Sequence, residues 1–141
     1  MEFVFSVSPA EEHVHVTGCG NVDVAACLSL LRRLTNDPAF RPHFSILIDA
    51  REVSYSPLRA ADLIEVADAL GAWRDYLTGP IAVLTRGATL LAAEALATLV
   101  RVPGHIRMRV FVDLIAAVSY CELPAAPTSL AHEVLVAASA T

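Results

Sequence analysis

His13 and His15 are separated by one residue in the run His13-Val14-His15-Val16-Thr17. On a β-strand, residues i and i+2 share a face, so both imidazoles are positioned to meet one metal ion. A metal site needs at least a third ligand, and no spacing places one. The alternative is a polar strand face. Cys19 lies between Gly18 and Gly20, ahead of a predicted helix start, where a thiolate is favoured. No base is paired with it. Asp49 ends the apolar run Ser45-Ile46-Leu47-Ile48. That is the strand end at which open α/β sheets bind ligands; a carboxylate there also serves to accept loop amides. Ser54 and Ser56 follow, just before Pro57. A hydroxyl at a helix start is either a cap or a phosphate acceptor favoured by the helix dipole. Asp49, Ser54 and Ser56 together form the candidate regulatory or ligand loop. Arg101, His105, Arg107 and Arg109 make a local basic cluster, read as an edge face or an anionic-partner surface. No acid–base pair or nucleophile–base pair can be assembled, so no catalytic, cofactor or metal residue is assigned.

These residues depend on the elements that carry them. Phe3, Phe5 and Val7 alternate with polar or smaller neighbours, as do Val14 and Val16, and the short link between the runs predicts a hairpin. Gly18-Cys19-Gly20 is expected to break the second strand. Asn21 is the expected cap of a helix over about 22–36, with Val24, Cys27, Leu28, Leu31 and Leu34 inward. Ile46–Ile48 reads as a buried strand. A helix over 57–77 follows, with Leu63, Val66, Leu70, Trp73 and Leu77 as its buried stripe. Ile81–Thr85 is another short strand. The next helix spans 89–102 with Leu91, Ala95, Thr98, Leu99 and Val102 inward. Ile106 to Val112 alternates as a last strand, and Asp113 caps a helix over 114–120. The order β-β-α-β-α-β-α-β-α predicts an α/β fold: a mixed, mostly parallel sheet of about five strands. Crossovers of one hand put the helices mainly on one face. All four are expected there, leaving an opposite face with an apolar middle.

Composition narrows the function classes. The chain has 141 residues, 55% hydrophobic and 18% charged, which suits one folded domain. A net charge of −5 argues against a nucleic-acid partner. The three cysteines, Cys19, Cys27 and Cys121, make no C-x-x-C pair and do not suggest a disulfide framework. Cys27 reads as a small core residue. No apolar run is long enough to span a membrane, and the N-terminus lacks a signal-peptide core, so the expected compartment is the cytoplasm.

The opening hairpin, the strand ending Ile46-Leu47-Ile48-Asp49-Ala50-Arg51 with Val53 after it, the helix from Pro57, the strand Ile81–Thr85 and the ending Arg109-Val110-Phe111-Val112-Asp113-Leu114 carry a resemblance. Over residues 1 to about 120 the chain resembles the STAS superfamily, typified by bacterial anti-sigma-factor antagonists, and within it the STAS/SEC14-like branch. The resemblance implies successive β-α units and a non-catalytic role in protein interaction or regulation. Its second implication is a small-molecule or lipid-binding domain. In the antagonists a kinase phosphorylates the Ser of an Asp-Ser pair; here the matching stretch is Val53-Ser54-Tyr55-Ser56-Pro57, without that pair. Residues 121–141 form a C-terminal extension, expected to hold a short helix. The bare apolar face predicts a homodimer, with the extension as a second way of covering it.

Overall fold

The computed structural model describes residues 2–21, 23–54, 59–101 and 105–121. Strand β1 (Glu2–Ser8) turns through a 3-10 segment at Pro9–Glu11 into β2 (His13–Asn21). Glu12 closes that turn in the left-handed region, at φ 52°, with its N–H donating to the Pro9 carbonyl. Helix α1 (Val24–Thr35), β3 (Ser45–Ser54), α2 (Ala60–Ala72), β4 (Ile81–Leu84), α3 (Thr89–Arg101), β5 (Met108–Phe111) and α4 (Leu114–Tyr120) follow. The strands lie side by side in chain order, β1 antiparallel to β2 and the rest parallel. This is the expected mixed, mostly parallel α/β sheet. Each parallel strand is added at the same edge, so α1, α2 and α3 return over one face.

Alternation then sorts the strand residues. Phe3, Val14, Val16, Ile46, Ile81 and Met108 face α1–α3 and join Leu31, Leu34, Val66, Leu70 and Val100 in the larger core. Leu47, Ala82 and Leu84 point the other way and meet Leu114, Ala117 and Cys121. Helix α4 is therefore on the opposite face, contrary to expectation. Among the described residues no strand follows α4, so the crossover rule does not bind it. The apolar middle of Leu47, Ala82 and Leu84 takes it instead, and that middle is not bare.

Local differences have local causes. Strand β2 runs through the glycines to Asn21, with an irregularity between Thr17 and Cys19. Gly18 is there for space: a Cβ would come 2.6 Å from the Phe3 ring. The cap of α1 is Asp23, not Asn21, its carboxylate accepting from the Ala26 N–H at 2.7 Å. The described part of α2 starts at Ala60, where Asp62 accepts from the Arg59 N–H; Ser56 and Pro57 lie outside the described residues. The helix ends at Ala72, and a 3-10 turn at Arg74–Tyr76 carries the chain to buried Leu77. That change of pitch leaves Trp73 only partly buried against the core. The inward face of α3 is Ala93, Leu96, Ala97 and Val100, whereas Leu91 is 81% exposed. Thr-Leu-Leu-Ala-Ala-Glu-Ala-Leu-Ala is apolar nearly all round, so periodicity alone does not choose its face. Strand β5 starts at Met108 rather than Ile106, and Asp113 caps α4 as expected. Residues 122–141, which hold nearly all of the expected extension, lie outside the described residues.

Candidate functional site

Three helices rest on the sheet face, but they do not close on it. Between β3, β4, α1, α2 and α3 lies a cavity of about 170 Å³. Ile48, Val53 and Val83 form its sheet wall. Cys27, Leu31, Val66, Leu70, Ala93 and Leu96 form its helix wall. Small residues make the gap: Ala92 and Ala93 on α3 and Cys27 on α1 stand where larger side chains would fill it. Among the described residues the polar contributions are Thr85, Thr89 and Ser54, and no charged side chain lines the cavity. Burial pushes the Cys27 thiol up to about 11, with Asp23 adding to the shift, so it stays protonated at neutral pH. The Cys27 reading as an inward, unreactive residue agrees with this placement.

Thr85 and Thr89 were not singled out by the sequence. A signal existed: Thr85 continues the phase of Ile81 and Val83, so it is a polar residue on an inward face. It is 1% exposed. Its Oγ1 lies 2.6 Å from Thr89 Oγ1, which donates to the Arg86 carbonyl at 2.9 Å.

The loop expected to carry regulation is divided by the sheet. Ser54 ends β3, exposed, on the cavity side. Asp49 points to the other face and grips Arg51. The guanidinium donates to Oδ1 at 3.0 Å and to Oδ2 at 2.7 Å, and the Arg51 N–H donates to Oδ1 at 3.1 Å. Burial alone would push the Asp49 carboxyl up, but the hydrogen bonds and charge of Arg51, with His15, hold it below the usual carboxylate value. Strand β3 runs on to Ser54, so Asp49 lies within the strand rather than at its end, and its carboxylate holds Arg51, two residues along the same face, instead of fixing a loop. Ser56, the third member of that loop, lies outside the described residues.

His13 and His15 share the face of Asp49, as the strand period requires. The resulting geometry is not that of a metal pair. His13 is 1% exposed, and its Nδ1 is 2.7 Å from the hydroxyl of buried Ser45 on the neighbouring strand. Burial pushes its pKa down to about 4; His15 adds to the shift and Ser45 opposes it. Among the described residues no group of three His, Cys, Asp or Glu side chains is gathered for a metal. Cys19 is exposed on β2 rather than poised before a helix. Cys121 is buried beneath α4's end, where burial raises its thiol to about 12. Of the basic cluster, Arg101, Arg107 and Arg109 stay around Tyr120, each with its own partner: Arg101 donates to Thr98, Arg107 to the Thr78 carbonyl, and Arg109 lies over the rings of Phe111 and Tyr120. No helix among the described residues is long and apolar enough to cross a membrane.

No family model and no curated protein matches the chain. Among solved structures it is similar to an uncharacterised protein of the DUF3478 family from Shewanella loihica PV-4, described as having a SpoIIAA-like fold. The TM-score is 0.56 at 11% identity, over 85% of this chain and 94% of that one. At this identity the likeness shows the fold alone. The fold is SpoIIAA-like, that of the STAS superfamily which the sequence resembles.

Proposed function

We propose that this chain is a non-catalytic regulatory module that binds a small apolar molecule between its sheet and helices α1–α3. The cavity carries the reading. Its volume, about 170 Å³, is close to that of a cavity which stays dry and binds benzene, on the order of 150 Å³. Apolar walls that face an unfilled space lose dispersion contacts, and a ligand restores them. Among the described lining residues only Cys27 titrates, and its raised pKa supports binding rather than nucleophilic chemistry. From the sequence, protein interaction ranked ahead of ligand binding; the cavity supports the reverse order. The two are compatible. A ligand that touches α1, α2 and α3 together would stiffen the side on which Ile64 and Leu91 are exposed. That side is our proposed surface for a protein partner, a second copy of the chain included. The argument for a homodimer from a bare apolar middle on the other face no longer applies, because α4 covers it.

The test is titration of the ¹⁵N-labelled chain with toluene. Amide shifts concentrated at Val66, Val83 and Leu96, with a rise in thermal midpoint, are expected. Ala93→Leu, which fills the void, should remain folded and lose both responses. A wild-type chain that shows neither shift nor stabilisation at saturating toluene would refute the reading.

A further inference from the structure

The cavity is apolar except where β4 hands over to α3, and the hydroxyls there are directional. Thr89 has one proton, and it is donated to the Arg86 carbonyl, which can only accept. The hydrogen between Thr85 and Thr89 therefore belongs to Thr85. With its proton spent on Thr89, the Thr85 oxygen keeps lone pairs and nothing to donate. Thr85 is one of the residues that line the cavity. We infer, resting on the ligand-binding reading above, that the cavity selects a benzene-sized neutral molecule carrying one hydrogen-bond donor, a phenol or a short alcohol.

Three physical arguments converge on that class. A donor on the ligand satisfies the spare acceptor of Thr85, whereas an ether or ketone oxygen would face a lone pair with a lone pair. A carboxylate or phosphate would meet no cation on the wall, since no Arg or His is among the described residues that line it, and uncompensated burial of a charge is costly. The volume admits one ring or a chain of similar bulk and is too small for a diacyl lipid. Ser54 does not blur the selection, because it is exposed at the mouth and its hydroxyl exchanges freely with water.

The experiment compares phenol, anisole, toluene and benzoate, titrated into the full chain and into Thr85→Val and Thr85→Ser. Ratios to toluene within each protein cancel differences in ligand hydration. The phenol-to-toluene affinity ratio should fall about tenfold in Thr85→Val, the worth of one well-made hydrogen bond. It should be kept in Thr85→Ser, which retains the hydroxyl. The anisole-to-toluene ratio should be kept in Thr85→Ser and rise in Thr85→Val, where the facing lone pair is gone, and benzoate should not displace toluene. If toluene binds but the phenol ratio is unchanged by Thr85→Val, or benzoate competes, the donor inference fails while the ligand reading stands. If neither toluene nor phenol binds the wild-type chain, the ligand reading fails and the inference with it.

Discussion

On the face that carries Val14, Ile48 and Val83, three helices stand off the sheet far enough to leave a void. On the face that carries His13, Leu47 and Leu84, α4 lies close; His13 Nδ1 pairs with Ser45 and Asp49 with Arg51, while the buried His13 Nε2 has no hydrogen-bond partner among the described residues. One sheet thus uses burial in two ways. Its helix-covered side gives up packing and keeps an apolar space. Its other side packs against α4 and buries a histidine, a serine and much of an ion pair. Function is sought in the first because unfilled apolar space is a standing affinity for a ligand. The His13–Ser45 and Asp49–Arg51 pairs of the second link neighbouring residues of the sheet and are structural.

The largest expected contrast is in packing. Leu47→Ala, at 0% exposure beneath α4, should cost about 3–5 kcal/mol, because a new void opens in a filled core. Leu96→Ala, on the wall of an existing void, should cost less than about 2 kcal/mol. Urea unfolding midpoints at unchanged slope would check both; equal losses would mean that the two sides are equally well packed.

Next is acid sensitivity, which belongs to the polar face. His13 has a pKa near 6.5 when unfolded and about 4 when folded. Above 6.5 both states are neutral and the group contributes nothing. As pH falls from 6.5 to about 4, the unfolded chain takes a proton that the folded chain refuses, so stability declines. Below that the loss is complete, at about 3 kcal/mol. His13→Leu should flatten the profile in this window, whereas Thr85→Val should leave its slope intact. A wild-type profile already flat between these limits would show His13 to be free to ionise in the fold.

The same substitution should then have different effects on the two sides. Ala117→Leu, at 0% exposure against the sheet, should destabilise by about 1–3 kcal/mol through overpacking. Ala93→Leu should fall within about 1 kcal/mol of wild type, and on the stabilising side if the new methyls fit the void. Matching thermal midpoints for the two variants would contradict the cavity. The smallest effect compares two ion pairs. Asp49–Arg51 is two-pronged, with side chains 13% and 27% exposed, and Asp49→Asn should cost about 1–2 kcal/mol. Glu52–Arg86 is exposed at 70% and 64%, and Glu52→Gln should cost less than about 0.5 kcal/mol. Equal costs would show the first pair to be as solvated as the second.

Much of this was legible in advance where the signal is local. Asp113 as a cap, Cys27 as an inward residue and the shared face of His13 and His15 follow from spacing of a few residues. The misreadings have a common origin. In α3, apolar residues on all sides left Leu91 and Ala93 indistinguishable by period. At Gly18, two nearby glycines signalled a break, while the reason for the first was the ring of Phe3, remote in sequence on the partner strand. For α4 the crossover rule was extended past its last strand, where nothing enforces it. The Thr85–Thr89 relay had a local trace, a polar residue in inward phase, but its meaning depended on the space beside it.

From the sequence alone came the order of elements, the parallel sheet and the side on which α1, α2 and α3 return. Strand and helix periods are local, and the hand of a crossover admits one outcome. Tertiary structure decided how far those helices stand from the sheet, which face receives α4, and how deeply His13 is buried. These are distances between elements remote in the chain. Residue spacing sets the direction of a side chain, but the bulk of every neighbour in the packed layer sets what it meets. The cavity exists because Cys27, Ala92 and Ala93, on two different helices, are small at positions that come together only in the fold.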